Sequence, residues 1–217
     1  MGAMNNSDPK AVAVIVAHPD DETLWAGGTI LGHPSWNWHI VTLCRASDGD
    51  RAPKFRRVLQ TLGATGNMGD LDDSPEQNPL DEMELHETIL QLLPPRHFDL
   101  VISHDPAGEY TRHVRHEEIG RAVITLWHAG RLPADELWTF AYSDGGKSYL
   151  PRAVETASIY SVLPEETWRK KYAIITETYG FGPDSFEART TPRVESFWQF
   201  TDASFAQEWL DHGGGGK

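Results

Sequence analysis

Short apolar runs alternate with longer amphipathic stretches along most of the chain. The run Ala11–Val16 is continuously apolar and rich in β-branched residues, which is typical of a strand buried on both faces of a parallel sheet. The segment 64–72 is ambiguous, and a short third strand is assigned there. The other predicted strands span residues 38–44, 100–102, 137–142 and 153–163.

Helical periodicity separates these strands. The predicted helices span residues 22–31, 53–62, 81–93, 113–129 and 164–178. Gly63 and Gly130 supply the stops of two of them, since glycine readily adopts the conformation that ends a helix. Strands that alternate with helices predict an α/β fold with a doubly wound, mostly parallel sheet and helices on both faces.

Composition narrows the classes of protein that fit. The 217 residues suit one compact domain, which we assign to 9–212, with 1–8 as a tag remnant or disordered lead and 213–217 as a glycine-rich tail. The net charge of −13 argues against nucleic-acid partners and anionic membranes. No apolar run approaches the roughly 18 to 20 residues of a membrane span. Cys44, the only cysteine, is predicted to be buried, and a single cysteine favours a cytoplasmic location.

Sites in doubly wound sheets form at the carboxyl ends of the strands. That rule selects the loops 18–22, 45–51 and 104–116, of which the first and third hold the densest clusters of histidine and aspartate. In the first loop, His18 precedes the three consecutive acids Asp20, Asp21 and Glu22, which repel one another unless a positive charge is near. A divalent metal is the simplest such charge, although either aspartate alone also suits a helix cap.

A second pair of imidazoles begins the predicted helix at 113. His113 and His116 are three residues apart, so both side chains can face one cleft. Such a pair alone is more often a surface feature than a site. Because both motifs stand at strand-to-helix junctions of an α/β chain, together they predict a metal site.

These residues resemble a known family. The stretch Ala-His-Pro-Asp-Asp-Glu at 17–22 after an apolar strand, with His-x-x-His at 113–116, looks like the PIG-L/LmbE family of de-N-acetylases. The resemblance is strong over about residues 11–129 and implies a Rossmann-like fold and a zinc-dependent enzyme.

The resemblance also implies roles for single residues. His18, Asp21 and His116 would bind zinc, Asp20 would be the general base, and His113 would stand near the developing oxyanion. Three protein ligands leave a coordination position for water, as in catalytic zinc sites. The candidate substrate contacts are Arg45, Asp48, Glu109 and Tyr110.

Two departures from the family pattern bear on the substrate. The second motif often reads His-Pro-Asp-His in the family but contains Val114 and Arg115 here, so Arg115 could alter the preference for substrate charge. The helix after the second strand lacks the usual glutamate. We treat the pair Asp72–Asp73 as a solvated turn.

The predicted function is hydrolysis of the acetyl group of an N-acetylated amino sugar or glycoconjugate. The alternatives are hydrolysis of another amide or of an ester, and a metal- or sugar-binding module without turnover. Histidine and aspartate ligands also accept Fe, Co, Mn or Ni in place of zinc. The expected partner is a small N-acetylated sugar, and a homo-oligomer is compatible with the resemblance.

Overall fold

A seven-stranded sheet forms the centre of the computed structural model, which describes residues 9–111 and 113–213. The strands of the sheet are β1 (Ala11–Val16), β2 (Asn37–Thr42), β3 (Thr65–Met68), β4 (Leu100–Ser103), β5 (Leu137–Phe140), β8 (Ile159–Val162) and β9 (Val194–Phe200). Two further strands, β6 (Tyr142–Ser143) and β7 (Arg152–Ala153), form a separate ribbon. The order in the sheet is β3-β2-β1-β4-β5-β9-β8.

The first five strands of this order are parallel. Ile15 on β1 aligns with Val41 on β2 and with Ser103 on β4, so β1 lies inside the sheet with a partner on each side. All five residues from Val12 to Val16 are completely buried. The continuous apolar run of β1 therefore reflects burial on both faces.

Helices cover the two faces of the sheet. They are α1 (Asp21–Gly32), α2 (Arg51–Leu62), α3 (Glu82–Leu92), α4 (Val114–His128), α5 (Glu165–Ala173), α6 (Phe186–Thr190) and α7 (Ala203–Asp211), with a π-helical turn at Ile174–Thr178. Val14 belongs to a core cluster with Leu24 of α1 and Phe55 of α2. Ile15 belongs to the opposite cluster with residues of α3, α4 and α7. The predicted α/β class and the mostly parallel sheet are confirmed.

The last third of the chain differs from the prediction. The expected strand 153–163 is reduced to β8, the stretch 137–142 divides into β5 and the start of β6, and the helix 164–178 changes to π geometry at Ile174. It is also not the last helix, because α6, β9 and α7 follow it. β9 is antiparallel to both β5 and β8, between which it lies.

A buried charged residue explains why the hydrophobic pattern of the sequence does not predict β9. Glu195, which belongs to this strand, is completely buried. Carboxylates are almost never fully buried unless they are paired. It accepts hydrogen bonds from the backbone of Gly28 and Thr29, and its carboxylate lies 2.7 Å from Nζ of the equally buried Lys171. Burial of the pair ties β9 and α5 to α1.

Three further predictions from the sequence concern Cys44, the two ends of the chain and membrane-spanning segments. Cys44 is buried, as predicted. The proposed lead 1–8 and all but the first residue of the proposed tail 213–217 lie outside the described residues. Over the described parts of the chain, no helix is both long and apolar enough to cross a bilayer.

Candidate metal centre and active site

The loops that follow β1 and β4 meet at the carboxyl edge of the sheet. β1 lies between β2 and β4 in the sheet. After β1 the chain continues toward β2, and after β4 it continues in the opposite direction toward β5, so a crevice opens between the two loops. His18 and Asp21 come from the loop after β1 and the start of α1. His116 comes from the first turn of α4. Residues far apart in the sequence are therefore brought to one place.

Of the three predicted metal ligands, the two histidines both lie next to one carboxylate oxygen of the third, Asp21. Oδ2 of Asp21 lies 3.2 Å from Nδ1 of His18 and 3.3 Å from Nε2 of His116. The other oxygen of Asp21, Oδ1, accepts a hydrogen bond from Nε1 of Trp25 at 3.3 Å, which orients the carboxylate. The structure thus brings together the carboxylate and both imidazoles.

The nitrogen Nε2 of His116 has no hydrogen-bond partner among the described residues, although it is buried. The other ring nitrogen, Nδ1, is 2.5 Å from the carboxylate of Glu109, and in the tautomer that donates from Nδ1 to Glu109 the lone pair is on Nε2. In that tautomer the lone pair of Nε2 faces the carboxylate of Asp21, 3.3 Å away, and a cation between the two groups would satisfy both. Donor atoms bound tetrahedrally to zinc at about 2.0 to 2.1 Å stand roughly 3.3 Å apart, so the arrangement fits a metal ion.

A third imidazole, that of His104, lies against the cluster. It stacks on His116 with ring centroids 3.8 Å apart and is completely buried. His104 belongs by distance to a second group of potential ligands, with Asp21 and His116. Its Nε2, however, accepts a hydrogen bond from the backbone N–H of Ala17 at 3.0 Å, so the lone pair that a metal would need is already used.

Glu109 lies behind the ligands rather than in the pocket wall. Its carboxylate is completely buried and lies 3.0 Å from Nδ1 of His104 as well as 2.5 Å from Nδ1 of His116. The expectation of a substrate contact by Glu109 is therefore wrong. Carboxylates in this position fix the tautomer and orientation of metal-binding histidines.

Asp73 plays the corresponding part for His18. Its Oδ1 lies 3.3 Å from Nε2 of His18, and its Oδ2 pairs with the guanidinium of Arg45. Burial alone would lower the pKa of His18, but the hydrogen bonds and charges of Asp21 and Asp73 outweigh burial and raise the pKa to about 10. The interpretation of Asp72–Asp73 as a solvated turn is wrong for Asp73.

Arg115 faces away from this cluster. The side chain is completely buried, donates to the backbone oxygens of Asp72 and Asn78, and pairs with Glu118 at 2.6 Å. It ties the loop that carries Asp73 to α4. The expectation that Arg115 alters substrate preference through its charge is therefore wrong.

Asp20 stands beside the cluster in a strained conformation. Its φ of 123° lies in the region that side chains other than glycine rarely adopt, and such residues concentrate at functional sites. Glu22 holds the turn by accepting from the backbone N–H of Asp20 at 3.0 Å, while Tyr179 donates to Glu22 at 2.8 Å. Burial and the charge of Asp21 raise the pKa of Asp20, and Arg51, 3.3 Å from Oδ1, opposes them.

His113 borders both the cluster and the open cavity. Its ring centroid lies 3.9 Å from that of His116 and 5.0 Å from that of His18, and its Nδ1 is buried without a partner among the described residues. Burial and the neighbouring imidazoles lower the pKa of His113 to about 2, so the ring is neutral. By distance, His18, His113 and His116 form one of two groups of potential metal ligands among the described residues, the other being Asp21, His104 and His116.

A cavity of about 340 Å³ opens onto these residues, which is within the usual range for small-molecule sites. Three of the four candidate substrate contacts, Arg45, Asp48 and Tyr110, line it. Oδ1 of Asp48 also accepts from two backbone N–H groups at the start of α2.

The segment 174–187 closes one side of the site. Besides Tyr179, this segment supplies Phe181, whose ring stacks under Arg51 at 4.6 Å, and the cavity residues Phe186 and Glu187. The sequence patterns missed Phe186 and Glu187, as well as Asp73, because no local signal marks them.

Comparisons with known proteins identify the family. The family model of PIG-L, described as GlcNAc-PI de-N-acetylase, matches residues 13–127, just over half of the 217 residues. The chain belongs to the PIG-L family. The matched region contains the loops after β1 and β4, and therefore all of the candidate metal ligands. The resemblance seen in the sequence is confirmed.

One curated relative and three solved structures illustrate the similarity. The uncharacterized protein L374 of Acanthamoeba polyphaga mimivirus is 22% identical over 177 residues, which cover 75% of each protein. The A40926 pseudoaglycone deacetylase Dbv21 superposes with a TM-score of 0.62 at 16% identity, covering 89% of this chain and 98% of that one.

A deacetylase of the teicoplanin biosynthesis pathway superposes with a TM-score of 0.63 at 14% identity, covering 87% and 96% of the two chains. The conserved protein TT1542 from Thermus thermophilus superposes with a TM-score of 0.59 at 20% identity, covering 87% and 94%. At these identities the likeness shows that the PIG-L member shares the α/β fold of these proteins.

Proposed function

We propose that this PIG-L member is a zinc-dependent N-deacetylase that hydrolyses the acetamide of an N-acetylated amino sugar or glycoconjugate. The observation that carries the proposal is the unpartnered, buried Nε2 of His116, which lies 3.3 Å from the carboxylate of Asp21 while Nδ1 of His18 lies 3.2 Å from the same oxygen. The unpartnered Nε2 of His116 and the carboxylate of Asp21, with the imidazole of His18 beside them, form a donor set that a bound cation would stabilise.

His18, Asp21 and His116 would hold the ion. When bound, zinc would supply Lewis acidity, lowering the pKa of a water molecule from about 15.7 toward ~7 and polarising the acetamide carbonyl. Glu109 and Asp73 orient the two imidazoles from behind through their outer nitrogens. His104 is excluded as a ligand by its hydrogen bond from Ala17.

Asp20 acts as the general base. It lines the cavity next to Asp21, and its pKa is raised by burial, which suits a group that must both accept and return a proton. Asp20 takes a proton from the attacking water and delivers it to the leaving nitrogen. A carbon–oxygen bond forms, the carbon–nitrogen bond breaks, and the products are acetate and a free amine.

His113 stabilises the charge that develops on the carbonyl oxygen. The low pKa of His113 means that it acts as a neutral N–H donor rather than as an imidazolium. A donor held in a partly buried site stabilises an oxyanion more strongly than water does, because it needs no reorganisation during the reaction. Tyr110 packs against His113 with ring centroids 5.2 Å apart and restrains its orientation.

The surroundings of the cavity support a sugar-sized or larger substrate. A second cavity of about 770 Å³ shares Arg45, Asp48 and Asp73 with the first and provides room for the remainder of a glycoconjugate. A deacetylase of A40926 pseudoaglycone and a deacetylase of the teicoplanin biosynthesis pathway share the fold.

Acetate release tests the proposal. The zinc-loaded protein should release acetate from N-acetylglucosamine derivatives, and Asp20→Asn should lower kcat by about 10²- to 10⁴-fold while the zinc content stays the same. Asp50→Asn is the matched control, because Asp50 is an exposed aspartate that pairs with Lys54 outside the cavity. Near-normal turnover by Asp20→Asn would show that Asp20 is not the base.

Zinc content separates the two possible ligand sets. Under the proposal, His113→Ala retains zinc but loses turnover, whereas Asp21→Ala loses zinc. If His113→Ala lost the metal and Asp21→Ala kept it, the three-imidazole set of His18, His113 and His116 would be the correct one.

A further inference from the structure

The cavity in front of the metal centre is lined by both apolar and charged side chains. Leu24, Tyr110 and Phe186 are apolar or aromatic members of the lining, and Arg45, Asp48, Arg51 and Asp73 are charged members. A pyranose ring has the matching character, since its C–H face is apolar and its hydroxyl edge is polar. Flat aromatic side chains in such clefts provide a large apolar contact area.

Phe186 is the unexpected member of the apolar lining. It is 36% exposed, so the cavity leaves much of its ring open to solvent, whereas most large apolar side chains of the protein are in the core. Its ring centroid lies 5.0 Å from that of Tyr110, at an interplanar angle of 59°. Tyr110 in turn contacts His113 and His116 at 5.2 and 5.4 Å. Phe186 is thus one aromatic ring removed from the imidazoles of the metal centre.

The position of Phe186 is determined by its helix and by the adjacent segment. The side chain of Ser185 accepts from the backbone N–H of Ala188 and caps α6. Glu187, next to Phe186, also lines the cavity. Among the described residues its carboxylate has no ion-pair partner, so its oxygens remain available to hydroxyl groups.

We infer that Phe186 and Glu187 form a sugar-binding wall, in which Phe186 stacks on the apolar face of the acetylated ring and Glu187 accepts hydrogen bonds from its hydroxyls. This inference rests on the proposed function, since it specifies what the deacetylase recognises beyond the acetamide. The wall comes from the part of the chain beyond the family match at 13–127.

Two substrates and a binding measurement test the wall. The rate of acetate release is compared for N-acetylglucosamine and for N-acetylethanolamine, which has the same amide bond without a ring. Phe186→Ala should raise KM for the sugar about 5- to 10-fold with little change in kcat, and should leave the small amide unaffected. Glu187→Gln should also raise KM for the sugar by about 10-fold, because it removes a charged acceptor of hydrogen bonds from the sugar hydroxyls.

Two further variants of aromatic residues serve as controls. Phe186→Trp keeps a flat face and should retain the preference for the sugar. Phe205→Ala removes a 58% exposed phenylalanine of α7, outside the cavity, and should behave like the wild type. Equal losses with both substrates in Phe186→Ala would indicate a merely structural role and would overturn the inference.

Calorimetric binding of N-acetylglucosamine to the whole protein keeps this inference distinct from the proposed hydrolysis. If the sugar binds and Phe186→Ala weakens binding, the wall stands even when no acetate is released, and the hydrolysis proposal fails alone. If acetate is released from both compounds without dependence on Phe186, hydrolysis stands and the wall is refuted. Absence of sugar binding by the wild type also refutes the wall.

Discussion

The substitution Glu109→Gln would test how the metal centre is organised. Glu109 faces three donors with two oxygens: Oε2 receives the Nδ1–H groups of His104 and His116, and Oε1 receives the backbone N–H of Asp105 at 3.1 Å. Glutamine has nearly the same shape but only one oxygen, and an NH2 group replaces the other. Whichever way the amide is turned, a donor meets a donor.

Each orientation of the amide has its own consequence. If the NH2 group faces the imidazoles, His116 must carry its proton on Nε2, the nitrogen directed at Asp21, and can no longer bind a metal. If the oxygen faces the imidazoles, the buried N–H of Asp105 loses its acceptor, which costs about 1 to 3 kcal/mol. The negative charge that strengthens His116 as a ligand is lost in either case.

The expected loss of zinc affinity is about 10- to 100-fold, the range found when groups behind metal ligands are changed. That range corresponds to roughly 1.4 to 2.7 kcal/mol. Competition with a chromophoric chelator at neutral pH measures the zinc affinity, and urea unfolding of the metal-free protein measures the accompanying loss of stability.

Glu117→Gln is the matched control for this experiment. Glu117 lies in the first turn of α4, next to His116, but its side chain is partly exposed and lies 3.8 Å from Arg121. Glu117→Gln should bind zinc like the wild type. If a folded Glu109→Gln protein also bound zinc like the wild type, Glu109 would not determine the tautomer of His116, and the reasoning would be refuted.

Two further predictions concern the framework of the site. Gly120→Ala should weaken zinc binding and lower the free energy of unfolding, because the added Cβ would lie 2.7 Å from the backbone oxygen of His104 and push α4 away from β4. Zinc affinity and a free energy of unfolding equal to those of the wild type would contradict this. Lys171→Met should lower the free energy of unfolding by about 3 to 5 kcal/mol in urea, because it leaves the carboxylate of Glu195 buried without its cation, and a loss below about 1 kcal/mol would contradict this.

The first half of the fold could be predicted because local patterns there agree with the tertiary structure. β1 is buried on both faces and therefore continuously apolar, and α2 ends at Gly63 in the left-handed conformation that glycine favours. β9 could not be predicted, because Glu195 is neutralised by Lys171, 24 residues away, and by the backbone of α1. A local pattern holds no trace of such a partner.

For the site, the sequence alone determined which residues have the chemistry to bind a metal and move a proton. His18, Asp20, Asp21 and the pair His113 and His116 stand out because their types and spacing are local properties. Only the tertiary structure decided which side chains surround them, since Asp73 and Glu109 come from loops and Phe186 from α6, and the relative positions of these segments depend on the whole fold. The candidate ligands belong to short sequence motifs and can be recognised locally. The residues that support them and the proposed sugar-binding wall depend on contacts between segments that are distant in the sequence.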